Sequence, residues 1–520
     1  MGQTFNKVNR AMKKTILILI LLAAGTSIVK CQETFNYDSL STFKILQTGL
    51  ETNFNIKLKR HVVSGSMGQM TTAKGIFNPQ LTMEGYGFYG QDPTMTFQDS
   101  YSLKGQLLVP TRSGIKFYTG FKLSNEIDII TGAPGIFPSQ YLLINESGMW
   151  AGFYLPLLRD LGRNNSNNVT FLSAKMMYKA QSVSFNDGIC QFIRDALVSY
   201  YNTYQCVIAF KILRDANKDA HEYVADIQAL IDNEQLPKTE VYRAEAYQLN
   251  ISQQFSLARN DIVNSLYDLI TSLGIKGTLV ANTLPTFLDS LPDPSTFPWD
   301  KYSAYIMRNI DSMVVNTPYF KSQDLLTSSS QIIMNGAKFN QLNDLNLDFR
   351  FMYFGSTVGE PISQFGNSFS SGLPGSALNV TLSYKIPFLN EERKGDYLSK
   401  LSTFEYNNTQ LQRVKFEAKS KVYKLLSDIG NLMPLFKNQI NLAEIEKKTF
   451  QSEVQKFDMG ASTQIDMINT YMDYNKALLN VESGRLAIIN RVINLKYLIG
   501  DFPVSSDELV TYNPWVFNTK

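Results

Sequence analysis

Three cysteines and two histidines are all the thiol and imidazole groups in the 520 residues, and their spacing assembles no reactive centre. His61 and His221 have no Cys or His neighbour at the short intervals that metal ligands use, so they read as solvated or packing residues. Cys190 and Cys206 lie sixteen positions apart in what reads as one helix. At 1.5 Å rise per residue that separation is about 24 Å, too far for a disulfide within one chain. No Walker A, Gly-x-Ser-x-Gly, His-Glu-x-x-His or Rossmann fingerprint is present. No enzyme is expected, and neither catalytic residues, a metal nor a cofactor.

The charge pattern excludes a second class. Lys and Arg number 49 against 46 Asp and Glu, but Lys7, Arg10, Lys13, Lys14 and Lys30 fall in an acid-free leader. Without that leader the balance turns slightly acidic, which leaves no net basic field for nucleic acid. The leader itself has cations up to Lys14, an apolar run from Thr15 to Val29 and a short polar stretch. This is the layout of a secretory signal peptide over residues 1–31. Cys31 ends it, although Val29 and Lys30 stand where a lipoprotein signal needs small residues. Beyond residue 31 no apolar stretch approaches the ~20 residues of a membrane helix, so any contact with lipid must be made by strands.

Helical signals dominate two regions. Between Leu157 and Leu236 there is no proline, and a helix from about Asn164 to Asp232 would run about 100 Å. After Pro237 a second helix continues to about Leu273 and ends at Gly274. A matching pair spans Glu391 to about Lys456 and Ser462 to Leu498, stopped by Gly500, with Pro434 expected to kink or break the first of them. Neither pair carries a sustained leucine heptad.

Strand signals precede both pairs. Leu345, Leu347, Phe349, Phe351 and Tyr353 alternate with polar or smaller residues, as do Leu378, Val380, Leu382, Tyr384 and Ile386. In the first half the candidates are 81–90, 102–109, 114–124 and 149–157. Alternation over about ten residues is the pattern of a membrane β-barrel strand, and equally of one half of a soluble β-sandwich. The two halves also match in sequence. Thr72-Ala73-Lys74 before Phe77-Asn78 is echoed by Gly336-Ala337-Lys338 before Phe339-Asn340, and Leu155-Pro156-Leu157-Leu158 by Ile386-Pro387-Phe388-Leu389. A tandem duplication follows, covering 32–274 (helix, strands about 79–157, helical hairpin about 164–273) and 275–500 (a mixed part about 275–339, strands about 345–388, hairpin about 391–499), with 501–520 as a tail. So few strands cannot close a barrel alone, and open edges in lipid leave unpaired backbone groups that cost several kcal/mol each. Several copies must share one barrel.

The run Phe457-Asp458-Met459-Gly460-Ala461-Ser462-Thr463-Gln464-Ile465-Asp466 resembles the tip turn of the outer-membrane efflux protein family whose best-known member is TolC. Tyr471, Asn475, Leu478, Asn480 and Gly500 fit that family's return helix, and Leu155 to Gly162 its exit from strand to helix. The resemblance covers essentially the whole mature chain. It implies an α+β fold with an all-antiparallel trimeric outer-membrane β-barrel, a long periplasmic α-helical barrel and a mixed equatorial domain. It also implies a passive export conduit from the periplasm to the exterior that works with a periplasmic adaptor protein and an inner-membrane pump. The family form has four strands per protomer; the pattern here gives six, which would close eighteen strands in a trimer if residues 109–114 form a periplasmic hairpin, but twelve are expected, with the extra pair folded as an appendage. The rival is a soluble periplasmic coiled-coil scaffold or binding protein with a β-sandwich.

By the same resemblance Asp466 stands at a constricting acidic ring, Asn469 at the family's second acidic position, and Phe457 at a gating aromatic that lacks the usual hydroxyl. Ser462 replaces an arginine used by some members, and Asp458 is a further acid beside the turn. Three carboxylates from symmetry mates would repel one another and attract cations. The competing role for Asp466 is an ordinary helix cap. Gly460 is expected to end its helix at positive φ, while Gly460, Ala461, Pro237 and Lys238 are candidates for adaptor docking. The first tip, 232–241, lacks a glycine.

Overall fold

A computed structural model describes residues 39–90, 98–130, 140–234, 236–275, 284–358 and 373–503. The leader, Cys31 and most of the 501–520 tail lie outside the described residues.

The chain opens with β1 (Ser39–Leu40), α1 (Thr42–Thr52) and α2 (Phe54–Gly75), then lays down β2 (Gln80–Gly90), β3 (Gln98–Pro110), β4 (Lys116–Ile130) and β5 (Gln140–Pro156). The helical hairpin α3 (Ser166–Asp232) and α4 (Thr239–Leu273) follows. The second half repeats this order. Short β6 (Thr286–Phe287) leads to α5 (Trp299–Asn316) and α6 (Pro318–Phe339), then β7 (Asp344–Val358), β8 (Leu373–Lys385) and the hairpin α7 (Glu391–Asp458) and α8 (Gln464–Ile499). At 67 and 68 residues, α3 and α7 each reach about 100 Å. The expected stops are present: Gly274 and Gly500 take φ of +69° and +75° as left-handed caps.

All six long strands form one antiparallel sheet in the order β2-β3-β4-β5-β7-β8. This corrects the expected appendage: the added hairpin is continuous with its neighbours, with Tyr101 to Pro110 of β3 paired to Lys116 to Asn125 of β4. It also disposes of the sandwich, because the only other sheet among the described residues is the two-residue parallel pair β1–β6. The β3–β4 turn is fixed to the strand-to-helix exit. Gly162 N–H donates to Ser113 O at 2.9 Å, Asn165 Nδ2 to Arg112 O at 2.6 Å, and the Arg112 guanidinium lies 4.7 Å from the Phe171 ring.

Pro434 neither breaks nor interrupts α7, which runs unbroken through it. Its ring would press on the carbonyl four residues back. That residue is Gly430, whose backbone is the most permissive available, and Trp299 of α5 packs beside this turn in one cluster with Ile429 and Phe436.

The main core lies where the repeats meet. Leu40, Ile45, Phe192, Ile193, Leu197, Tyr200, Leu273, Ile489 and Ile493 form one buried cluster from both halves. Within it Asp187 is only 3% exposed and accepts from Tyr497 Oη at 3.1 Å and Gln191 Nε2 at 2.8 Å. Burial pushes its carboxyl above the ordinary carboxylate range, against the opposing pull of Lys59 and the Tyr497 hydroxyl. Lys496, fully buried, pairs with Asp501 at 3.3 Å.

Candidate functional site

The far ends of the helical hairpins hold the candidate gate. At the second tip α7 ends as Gly460 takes φ +71°, with Gly460 N–H donating to Phe457 O and Ala461 N–H to Lys456 O at 2.8 Å. The turn is then held by Glu453, which accepts from Ser462 Oγ and, at 2.9 Å, from Lys456 Nζ. Those two donors hold the Glu453 carboxyl below the ordinary range. So Ser462 fixes the local turn, a role not apparent when it is aligned with an arginine. Thr463 caps α8: its Oγ1 accepts from Asp466 N–H and donates to Asp466 Oδ2 at 2.5 Å. Thr463 is thus an N-cap whose hydroxyl the Asp466 carboxylate holds, so within one protomer Asp466 supports the cap and still presents an exposed carboxylate.

The other sequence-derived positions fall around this turn. Phe457 is half-buried, Asn469 and Ala461 are exposed, and Asp458 sits in the last turn of α7, with its side chain outside the described residues. At the first tip Glu234, at φ +60°, takes the left-handed position that glycine fills at the second. Pro237 and Lys238 are exposed just before α4. The adaptor candidates thus sit on two separate tips.

What sequence reasoning missed is the joint between the hairpins. Ile468, Met467 and Tyr471 of α8 pack on Ala216, Ala220, Tyr223, Ile227, Ala244 and Tyr247 of the first hairpin. Tyr471 Oη donates to Asp219, and Tyr223 Oη to Gln464 O at 3.2 Å. Tyr247, buried in the same cluster, has its phenol pushed up to about 12, first by burial and then by the Asp219 charge. The available signal was Asp219 and Tyr223 at i and i+4, an acid and a polar-tipped aromatic on an Ala/Ile stripe. His221 lies across the same hairpin from Gln248, its Nδ1 bonded to Nε2. No group of three or more His, Cys, Asp or Glu that could hold a metal occurs among the described residues.

At the opposite end the sheet has two unlike faces, because register aligns the apolar residues of every strand. One face carries Leu81, Met83, Leu103, Leu107, Phe117, Met149, Phe351, Leu378, Val380 and Leu382, all exposed in the protomer. Phe153 and Phe349 stack between them at 5.2 Å. The other face is mixed, with charged groups beside Tyr86, Trp150, Met352 and Phe354. Lys122 pairs with Glu146 at 3.5 Å, Lys104 with Glu84 at 3.9 Å, and Tyr118 Oη donates to Asp348 at 2.6 Å while accepting from Arg350 Nε at 3.2 Å. No helix among the described residues is long and apolar enough to cross a membrane, which says nothing about the sheet.

No family model and no curated relative matches the sequence. Solved structures do match in fold. The Campylobacter jejuni CmeC outer membrane channel superposes with a TM-score of 0.62 at 12% identity, over 91% of this chain and 90% of that one. The open state of the Neisseria gonorrhoeae MtrE outer membrane channel gives 0.61 at 13%, over 88% of each. The outer membrane protein VceC of Vibrio cholerae gives 0.61 at 10%, over 88% of this chain and 96% of that one.

Proposed function

We propose that this chain, which shares the fold of solved outer-membrane channels, is itself the outer-membrane channel of a tripartite efflux or secretion system, a passive conduit from the periplasm to the exterior. One observation carries the reading: a single sheet with an apolar, exposed face and a charged opposite face stands on helices about 100 Å long. A soluble protein would not leave such a wide apolar wall uncovered. Lipid on that wall and water on the charged face satisfy both at once.

Homotrimeric assembly follows from the unfinished sheet and from the resemblance of the tip. In that assembly the sheet crosses the outer membrane and the helices form a periplasmic tube. Residues 284–339 form its equatorial girdle. The second tips then converge on the axis, where three exposed Asp466 carboxylates form the constriction, with Asn469 one turn on and Phe457 packing behind. Pro237, Lys238, Gly460 and Ala461 present the tips to a periplasmic adaptor, which connects the conduit to an inner-membrane pump.

The test is made in two steps. The mature protein should fractionate with outer membranes as a detergent-resistant trimer and conduct in planar bilayers. Asp466→Asn should keep trimer yield but lose cation selectivity and block by multivalent cations. A soluble monomer overturns the channel reading, and unchanged selectivity overturns the ring.

A further inference from the structure

Among the described residues no strand pairs with the outer edge of β2 or of β8, and α2 and α7 end the helical row beneath them. In that row α2 packs on α3, α3 on α6, and α6 on α7. The helices follow the order of the strands they serve: α2 enters β2, β5 exits to α3, α6 enters β7, and β8 exits to α7. The outer helices keep unpartnered apolar stripes. Phe54, Leu58 and Val62 recur every four residues on α2, while Leu398, Phe416 and Tyr423 are exposed on α7.

We propose that β8 of one copy pairs directly with β2 of the next, so that all six strands of each protomer enter the wall and three copies close a barrel of eighteen strands. This rests on the channel reading above for the membrane and the number of copies, and it fixes what that reading leaves open, the seam.

Four observations carry it. Direction is the first: β2 rises from its helix and β8 descends to its own, so their junction is antiparallel like every other pair in the sheet. Face is the second. Leu81 and Met83 lie on the same side as Leu378, Val380 and Leu382, with Thr82 and Glu84 on the side of Asn379 and Thr381. The seam therefore continues both the apolar and the polar surface.

The third observation is that β4 is not free. A twelve-strand wall needs two strands to leave it: β2 and β3, so that β8 closes on β4, or β3 and β4, so that β2 pairs with β5. Yet β3 is laddered to β2 and β4, β4 is laddered to β5, and the β3–β4 turn is bonded into the exit beside Gly162 and Asn165. Either departure would strip at least ten residue pairs.

The fourth is width. Six strands about 4.8 Å apart, tilted about 40°, span an arc of about 38 Å, and four helices about 9 Å apart span about 36 Å. Four strands would span only about 25 Å and would have to flare to meet the same four helices. With six, wall and tube close at one circumference, and the barrel is about 36 Å across between backbones. Size selection then belongs to the tip and not to the barrel.

Cysteine pairs test the seam. In a variant with Cys190 and Cys206 replaced by alanine, Asn379→Cys is combined in turn with Thr82→Cys, Glu84→Cys or Tyr86→Cys, and separately with Lys122→Cys on β4. Thr82→Cys with Gln106→Cys, cross-strand neighbours within one chain, reports that the sheet has formed. After oxidation in outer membranes, at least one β2–β8 pair should give covalent dimer and trimer that collapse to monomer on reduction, and the β4–β8 pair none. Trimers linked through Lys122→Cys, trimers linked through β2 and β8 while the Thr82→Cys/Gln106→Cys control stays open, or trimers linked through neither pair while that control closes, overturn the eighteen-strand wall and leave the channel reading standing. Absence of any membrane trimer overturns both.

Discussion

Replacing Phe349 by arginine puts the lipid-facing assignment at greatest risk. From Leu345 to Tyr353 the outward residues of β7 cover eight steps, about 27 Å along the strand at about 3.4 Å each. At a tilt of about 40° this is about 21 Å of height, close to the ~25 Å apolar band of a membrane barrel. Phe349 is the midpoint, flanked across the ladder by Phe153 and Val380. An arginine there should cost about 2–4 kcal/mol per copy, while at Leu345, near the interface, it should cost about 0–1 kcal/mol. Part of the loss is packing, since Phe349 stacks on Phe153, and a stacked pair is worth about 0.5–1.5 kcal/mol. Phe349→Ala measures that part. Thr381→Arg is the opposite-face control, because it faces the polar side beside Asp348. Urea unfolding of the trimer in lipid vesicles reads all four variants. Equal losses at Phe349, Leu345 and Thr381 would refute a lipid-facing band.

Two further outcomes concern the helices. Tyr471→Phe removes the hydroxyl that joins α8 to Asp219 but leaves the ring packed on Phe450; the tip should open more often in single-channel records while thermal stability changes little, and an unchanged open probability would remove this bond from the gate. Asp187 has a folded pKa raised chiefly by burial, so its contribution to stability is whole below about pH 4, the ordinary carboxylate value, and is lost as pH rises through the raised one. Wild type should therefore lose urea stability relative to Asp187→Asn as pH rises above about 4; parallel pH profiles would reject the assignment.

Helix ends were legible in the sequence because one residue type decides them: Gly274, Gly460 and Gly500 all take positive φ. Strand middles were legible through alternation. Strand tops were not. β4 runs on to Ile130 and β5 begins at Gln140, past Asn125, a polar residue at an apolar position of the alternation, and through the unalternating run Leu142-Leu143-Ile144, while the ladder continues. A break at Pro434 follows from a local rule read without Gly430 four residues before it, and α7 runs through. The order of strands could not be read at all, since whether a hairpin joins a sheet depends on contacts such as Arg112 on Phe171, which lie far apart in the chain. At the tip the same limit hid Tyr471–Asp219, while the Thr463 cap and its Asp466 partner lie within four consecutive residues.

The open edges of β2 and β8 make encounter between chains part of folding. On the channel reading, a single copy cannot enter hydrocarbon without exposing two rows of unsatisfied amides and carbonyls. Insertion therefore waits on encounter, and its rate rises steeply with the number of chains in the compartment. While they wait, the same edges are templates for any other extended chain, so a newly exported chain is most vulnerable to wrong pairing when copies are scarce. Making too little of such a protein is hazardous in its own way: sparse chains linger with their edges exposed, whereas abundant ones reach the state that buries them.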